Sequence, residues 1–445
     1  MVRFPRLYIV ALIVGLFPSL ASAGVFNPET FTLKNGMKVV VIENHRVPVV
    51  THMVWYRVGA ADEGAGETGI AHFLEHLMFK GTKSLKPGQF SETVARNGGQ
   101  ENAFTSSDYT AYFQTIAVDR LPMVMKMEAD RMTNLVITDK EVEPERQVVL
   151  EERRARIGNN PGSVLGEYVD ASLFLNYPYR NPVIGWEHDI KALDIKRILA
   201  FYKRWYAPNN AILVVAGDIT VDELKPLAKK YYGVVPAQPP VKRMRAKEPP
   251  QKAARQVTLK DKRVRQPSWQ RSFLAPSLLW GEKQYHYPLE VLADLFGGGA
   301  SSQLYRSLVI DKKLAVSAGA YYSGSGRGPG RFTIYASPRP GTDMAKLEAA
   351  IDTEIKTFLK NGPKENDIRR AVERMQSEAV YARDSLSGGA RAMGSALAAG
   401  LTIDDVESWP DKIGAVSTSD VRAAAKAVFN IDRSVTGLLL PERKL

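Results

Sequence analysis

The chain has 445 residues, no cysteine and a formal net charge of +12 at pH 7. Without disulfides, a fold of this length must be held by buried apolar area, and the length exceeds what one core usually organises, which predicts two domains of about 200 residues each. Most of the net positive charge lies between Pro240 and Gln266, where ten basic residues face only Glu248 and Asp261, and no aromatic side chain accompanies them. A nucleic-acid surface would pair such charge with base-stacking rings, so that function class is set aside and the stretch reads as a solvated linker. Contact with an acidic partner or an anionic membrane surface is the other reading of such a run.

At the N-terminus, Arg3 and Arg6 precede an apolar run from Leu7 to Leu20 and the small-x-small sequence Ala21, Ser22, Ala23. This is the form of a cleaved signal peptide over residues 1–23, so the chain is expected to be exported to the periplasm and to begin at Gly24. No later run reaches the ~18 apolar residues a membrane-spanning helix needs, so stable membrane insertion is not expected.

Alternating apolar residues at Met37 to Ile42 and Val49 to Val58 predict two strands joined by a turn. Helical periodicity follows over Gly69–Phe79, Phe90–Arg96, Leu121–Met132, Glu143–Arg156, Val164–Leu175 and Ile195–Trp205, with strands at Tyr109–Ala117 and Ala211–Gly217. Helices mixed with neighbouring strands predict an α+β fold.

The second half repeats this grammar. Lys203 to Asp218 and Lys426 to Pro441 each run from a helix through an aromatic residue and a turn into a strand, and Glu145-Arg146 has a counterpart at Glu373-Arg374. The economical reading is a domain at 24–235, a basic linker at 236–266 and a related domain at 267–445.

His72, Phe73, Leu74, Glu75 and His76 form H-x-x-E-H on a stretch whose Ile70, Phe73, Leu74 and Leu77 make a buried helical stripe. Residues four apart share a helix face, so both imidazoles reach one cation, while Glu75 sits beside the open coordination position as a candidate general base. Zinc in such a site needs a third protein ligand and keeps a water, whose pKa it lowers toward neutrality. The sequence ERQVVLEE from Glu145 to Glu152 sets two carboxylates seven residues apart on one helix face, a pattern that an ordinary charged helix also shows.

Together these motifs are similar to those of the pitrilysin and insulin-degrading enzyme family of inverzincin metallopeptidases, in particular its processing-peptidase-like branch. The likeness rests on H-x-x-E-H, on E-R-x-V-x-x-x-E ending 76 residues after His76, on Gly98 to Thr105 as G-G-x-x-N-A-x-T, and on Gly298 to Leu304. It implies that Glu152 is the third zinc ligand, with Glu151 its nearest rival, and that Glu145 supports the catalytic group. It implies one Zn2+ per chain. It also implies two related domains, each a mainly antiparallel sheet packed with helices, forming one half of a clam-like chamber. Peptides are the implied substrates, added as a strand along Asn102, Ala103 and Phe104, with Phe104 tuning side-chain preference.

One departure matters. Where family members of this kind carry an Arg and a Tyr in the second half, this chain has Val309 and Val316, and one explanation is that Arg306, Tyr321 or Tyr322 substitutes from the same chain. The preferred expectation is a heterodimer in which a related, zinc-free subunit supplies Arg and Tyr. The alternative is a structural or peptide-binding subunit that keeps a zinc site without turnover.

Overall fold

The computed structural model describes residues 24–382 and 385–442, so the predicted signal segment at 1–23 lies outside the described residues. The first sheet is built from β1 (Glu29–Thr32), β2 (Lys38–Glu43), β3 (Val49–Tyr56), β4 (Gln100–Thr105), β5 (Thr110–Ala117) and β6 (Ala211–Gly217). Their spatial order is β1-β2-β6-β3-β5-β4, antiparallel except for the parallel β2–β6 pair. The second sheet contains β7 (Arg255–Asp261), β8 (Ser268–Ala275), β9 (Ala315–Ser323), β10 (Gly330–Pro338) and β11 (Ser434–Pro441), in the order β7-β11-β8-β10-β9. There the exception is the parallel β7–β11 pair. Strand for strand, β7-β11-β8-β10-β9 occupies the places of β2-β6-β3-β5-β4, so the two halves share one topology in an α+β architecture. The strands β6 and β11, which close the two similar sequences noted above, hold equivalent central positions.

Central strands read as unbroken apolar runs because both faces are covered. Val39, Val40 and Val41 of β2 have no exposed surface, nor do Leu213, Val214 and Val215 of β6. On one face lie α1 (Ile70–Leu77), α2 (Gln89–Arg96), α3 (Leu121–Thr133) and α4 (Asp139–Arg153), which contribute to the first large core. The other face is covered from the far half of the sequence: Ala390, Met393, Leu397 and Ala398 of the helix Leu386–Ala399 pack against Val40, Ile42, Met53 and Trp55. Gly394 permits this, since a Cβ there would sit 2.1 Å from the Trp55 ring.

The exchange is reciprocal. Helix α5 (Pro161–Leu173), which follows α4 in the first half, packs Leu165, Val169 and Leu173 against Val435 and Leu439 of the second sheet. Each half thus lends one helix to the other's sheet.

The basic stretch differs from the expected solvated linker. Part of it, Arg255–Asp261, is strand β7, and two of its arginines, Arg243 and Arg245, are folded inward. Arg245 lies 3.0 Å from both Asp62 oxygens and also reaches Asp108, while Glu248 accepts the backbone N–H groups of Leu175, Asn176 and Tyr177 at 2.9–3.1 Å. The cause is local neutralisation: buried carboxylates and main-chain donors of the first half consume charges that a residue count treats as free.

Candidate metal centre

Helix α1 begins where the backbones of Gly69 and Gly185 touch. Gly69 has φ +89°, and a Cβ there would lie 2.6 Å from the Ile184 carbonyl oxygen. The first turn is capped by Glu63, whose carboxylate accepts the N–H groups of Gly69 (2.9 Å) and Ala71 (3.0 Å) and so satisfies donors that have no partner within the helix. Ile70, Phe73, Leu74 and Leu77 are fully buried, as the predicted stripe requires. The opposite face carries His72, Glu75 and His76 toward α4.

From α4 come Glu145 and Glu152. The Nε2 atoms of His72 and His76 lie 3.6 Å and 3.2 Å from Glu152 Oε2, and one ligand atom from each of the three residues falls within 4.8 Å of the others. Glu152 Oε2 is buried and has no hydrogen-bond partner. Two imidazole nitrogens and a carboxylate oxygen converging on one point, with that oxygen left unpaired, form a donor set that fits a divalent cation of the zinc type. Glu151 faces elsewhere, paired with Arg154 on the exposed side of the helix.

The surroundings sort the protons. Burial, and then the neighbouring His76, push His72 down to about 4 in the metal-free chain, which leaves it neutral. For His76 burial acts in the same direction, but the carboxylates of Glu145, hydrogen-bonded to it, and of Glu152, close beside it, outweigh burial and hold the imidazole up at about 9. His76 Nδ1 lies 2.8 Å from Glu145 Oε1, which turns Nε2 toward Glu152. Burial opposes the charge on Glu145, yet the bonds from His76 and Lys80 keep its pKa below the usual carboxylate value. Glu75 is shifted upward, chiefly by burial, against a 2.6 Å hydrogen bond donated by Thr105.

Thr105 ends β4, which pairs only with β5 among the described strands and so leaves one edge open. Asn102 is exposed on that edge and accepts the Ala103 N–H at 2.8 Å, while Ala103 is half-buried. Phe104 points to the other face, against Trp55, Phe113 and Arg391, so its ring is committed to packing that joins the two halves.

In the second half, Val309 packs at the margin of the second core and Val316 stands 45% exposed on β9, the far edge of its sheet. Tyr322 is engaged, donating to the Pro276 carbonyl at 2.6 Å, while Tyr321 stacks with Arg331 and Arg306 is exposed.

Sequence reasoning missed Glu63, Lys80, Thr105 and Arg156, the last of which lies 2.8 Å from Glu152 Oε1. Only Thr105 carried a signal, as the final residue of the Gly98 to Thr105 motif.

No helix among the described residues is long and apolar enough to cross a membrane. Residues 38–186 match the insulinase family (peptidase family M16), and residues 192–375 match the peptidase M16 inactive domain. The zinc protease PqqE of Helicobacter pylori is 36% identical over 293 residues, a match that spans 65% of each chain. A crystal structure of a protease from Helicobacter pylori superposes with a TM-score of 0.88 at 29% identity, covering 94% of this chain and all of that one. The periplasmic protease PqqL of Escherichia coli shares the fold at a TM-score of 0.77 and 18% identity, and there the match covers 93% of this chain but 47% of that one. The chain belongs to the insulinase family of peptidases, M16.

Proposed function

We propose that this chain is the zinc-bearing half of an endopeptidase that cleaves extended peptides, with Glu75 as general base. The observation that carries the reading is the convergence of His72, His76 and Glu152 within 4.8 Å, on the face of α1 that also bears Glu75. These three residues would hold one Zn2+ per chain, and zinc there supplies a Lewis acid that polarises a carbonyl and activates water near neutral pH. Glu145 fixes the tautomer of His76 and so keeps Nε2 free for the cation. Glu75, held by Thr105 through Oε2, takes the proton of the attacking water on Oε1 and passes it to the leaving amine nitrogen. The open edge of β4 at Asn102 and Ala103 offers main-chain groups to an extended peptide, which supports acceptance of varied sequences.

The remaining donors come from a partner. Val309 and Val316 cannot donate to a developing oxyanion, and a related zinc-free subunit bearing Arg and Tyr at those positions would complete the site. Coverage of only 47% of the PqqL chain supports an assembly of two such units. We read 24–235 as the zinc-bearing domain, 236–266 as the connection and 267–445 as the related domain, in an exported, periplasmic protein. The test is peptide turnover by the pure chain, with the partner added, and with the partner's Tyr changed to Phe. Strong activation by the partner, lost with Phe, is expected; full activity of the isolated chain, indifferent to any partner, overturns the divided site. The two valines also favour a second reading, a peptide-binding subunit without turnover, which predicts bound zinc and no hydrolysis with any partner.

A further inference from the structure

Glu75 is held by a single hydroxyl. Among the described residues, the hydrogen bond to its carboxylate comes from Thr105 Oγ1, 2.6 Å from Oε2. The neighbouring hydroxyl cannot take this role, because Thr110 Oγ1 donates its proton to the Val58 carbonyl at 3.0 Å. Alternation along β4 turns Thr105 to the face on which α1 packs, while Phe104 turns to the helix Leu386–Ala399.

Thr105 is itself firmly placed. Its backbone pairs with Thr110, and the turn that follows is pinned by the N–H groups of Ala60 and Ala61, which donate to the carbonyls of Ser106 (3.0 Å) and Ser107 (2.8 Å). Gly59 makes this approach possible, since a Cβ there would lie 2.3 Å from the Ser106 carbonyl oxygen. A β-branched side chain on a fixed strand has little freedom at χ1, so the hydroxyl is a rigid point of attachment for the longer, more mobile glutamate.

We propose that Thr105 is a positioning residue for Glu75, fixing one carboxylate oxygen so that the other faces the metal-binding atoms, and that it links this aim to the seating of a peptide on β4. The inference rests on the peptidase reading above. A peptide that adds to the open edge orders the strand whose last residue carries the hydroxyl, so a well-seated substrate meets a well-aimed base. Poorly seated peptides meet a Glu75 free to swing.

The test compares Thr105→Val, which keeps the shape and removes the hydroxyl, with Thr105→Ser, which keeps the hydroxyl. Two readouts are taken: steady-state peptide hydrolysis by the zinc-loaded enzyme with its partner, and crystal structures of both zinc-loaded variants. For Thr105→Val we expect kcat lowered roughly 10- to 100-fold, as a displaced catalytic group produces, with KM and zinc content near wild type. In its crystals Glu75 should occupy more than one rotamer while His72, His76 and Glu152 stay in place. Thr105→Ser should recover most of kcat and a single rotamer. A Thr105→Val enzyme with wild-type kcat, or a Thr105→Ser enzyme as impaired as Thr105→Val, overturns the proposal. If the wild type itself lacks turnover, the peptidase reading fails, and the Glu75 rotamer in the two crystals still decides whether Thr105 holds it.

Discussion

His76 Nδ1 and Glu145 Oε1 stand 2.8 Å apart, and Lys80 occupies the other oxygen of the same carboxylate. One glutamate therefore orients the imidazole and is itself oriented. Replacing Glu145 with Gln removes the charge that fixes the His76 tautomer, and zinc affinity should fall about 10- to 100-fold, a typical effect of losing such support, without loss of the folded state. Competition with a chromophoric chelator reads the affinity, and circular dichroism checks the fold.

Glu151 and Glu152 are neighbours in sequence with opposite surroundings, one paired with Arg154 at the surface and the other facing two histidines. Glu152→Gln should abolish stoichiometric zinc binding, and Glu151→Gln should leave it at one per chain. Metal analysis of the two purified variants makes the comparison, and the reverse result would move the site by one residue.

Zinc uptake should depend on pH through His76. In the metal-free chain this imidazole keeps its second proton up to about 9, whereas His72 is already neutral above about 4. A cation must displace the His76 proton, so apparent affinity should climb by roughly one log unit per pH unit from neutrality toward that value and level off above it. Proton release measured alongside binding should approach about one per zinc at neutral pH and vanish at the alkaline end.

Gly69 sets the start of α1. With φ +89° and a carbonyl 2.6 Å from where a Cβ would stand, Gly69→Ala forces the helix away from Gly185. A loss of about 1–3 kcal/mol in unfolding free energy is expected, together with weaker zinc binding because His72 and His76 ride on the same helix. Denaturant titration and chelator competition measure the two effects.

Arg245 tests the folded basic stretch. Its side chain is 8% exposed and that of Asp62 is 2% exposed, so Arg245→Met strands carboxylates that have lost their closest counter-charge. The expected cost is about 3–5 kcal/mol, the usual range for breaking a buried pair from one side, and it should change little with salt. Lys252→Met, at an exposed site in the same stretch, should be nearly neutral.

The parts of this molecule legible in the sequence are those whose causes are local. The stripe Ile70, Phe73, Leu74, Leu77 declares a helix with one buried face, and the i, i+4 histidines then share the other. The repeated helix-turn-strand near Trp205 and Phe429 likewise announces two sheets of one design. What stayed hidden depends on residues far apart in the chain. Arg245 finds Asp62 across 183 positions, so counting charges between Pro240 and Gln266 gave a solvated linker where there is a buried ion pair. The exchanged helices, α5 and Leu386–Ala399, carry apolar faces that any amphipathic helix would show, and nothing in their periodicity says which sheet they cover. The edge position of β4 fixes only where its backbone lies, and it is the pleat, set by the sheet as a whole, that turns the Phe104 ring toward Trp55.

The most direct test of the account is peptide hydrolysis by the Glu75→Gln enzyme, assayed with its partner and with zinc content measured on the same sample. The account predicts zinc at one per chain, as in the wild type, and turnover reduced by about 100-fold or more, because the ligands His72, His76 and Glu152 are intact while the group that takes the proton is gone. Wild-type turnover in a Glu75→Gln enzyme that carries its full zinc would contradict it.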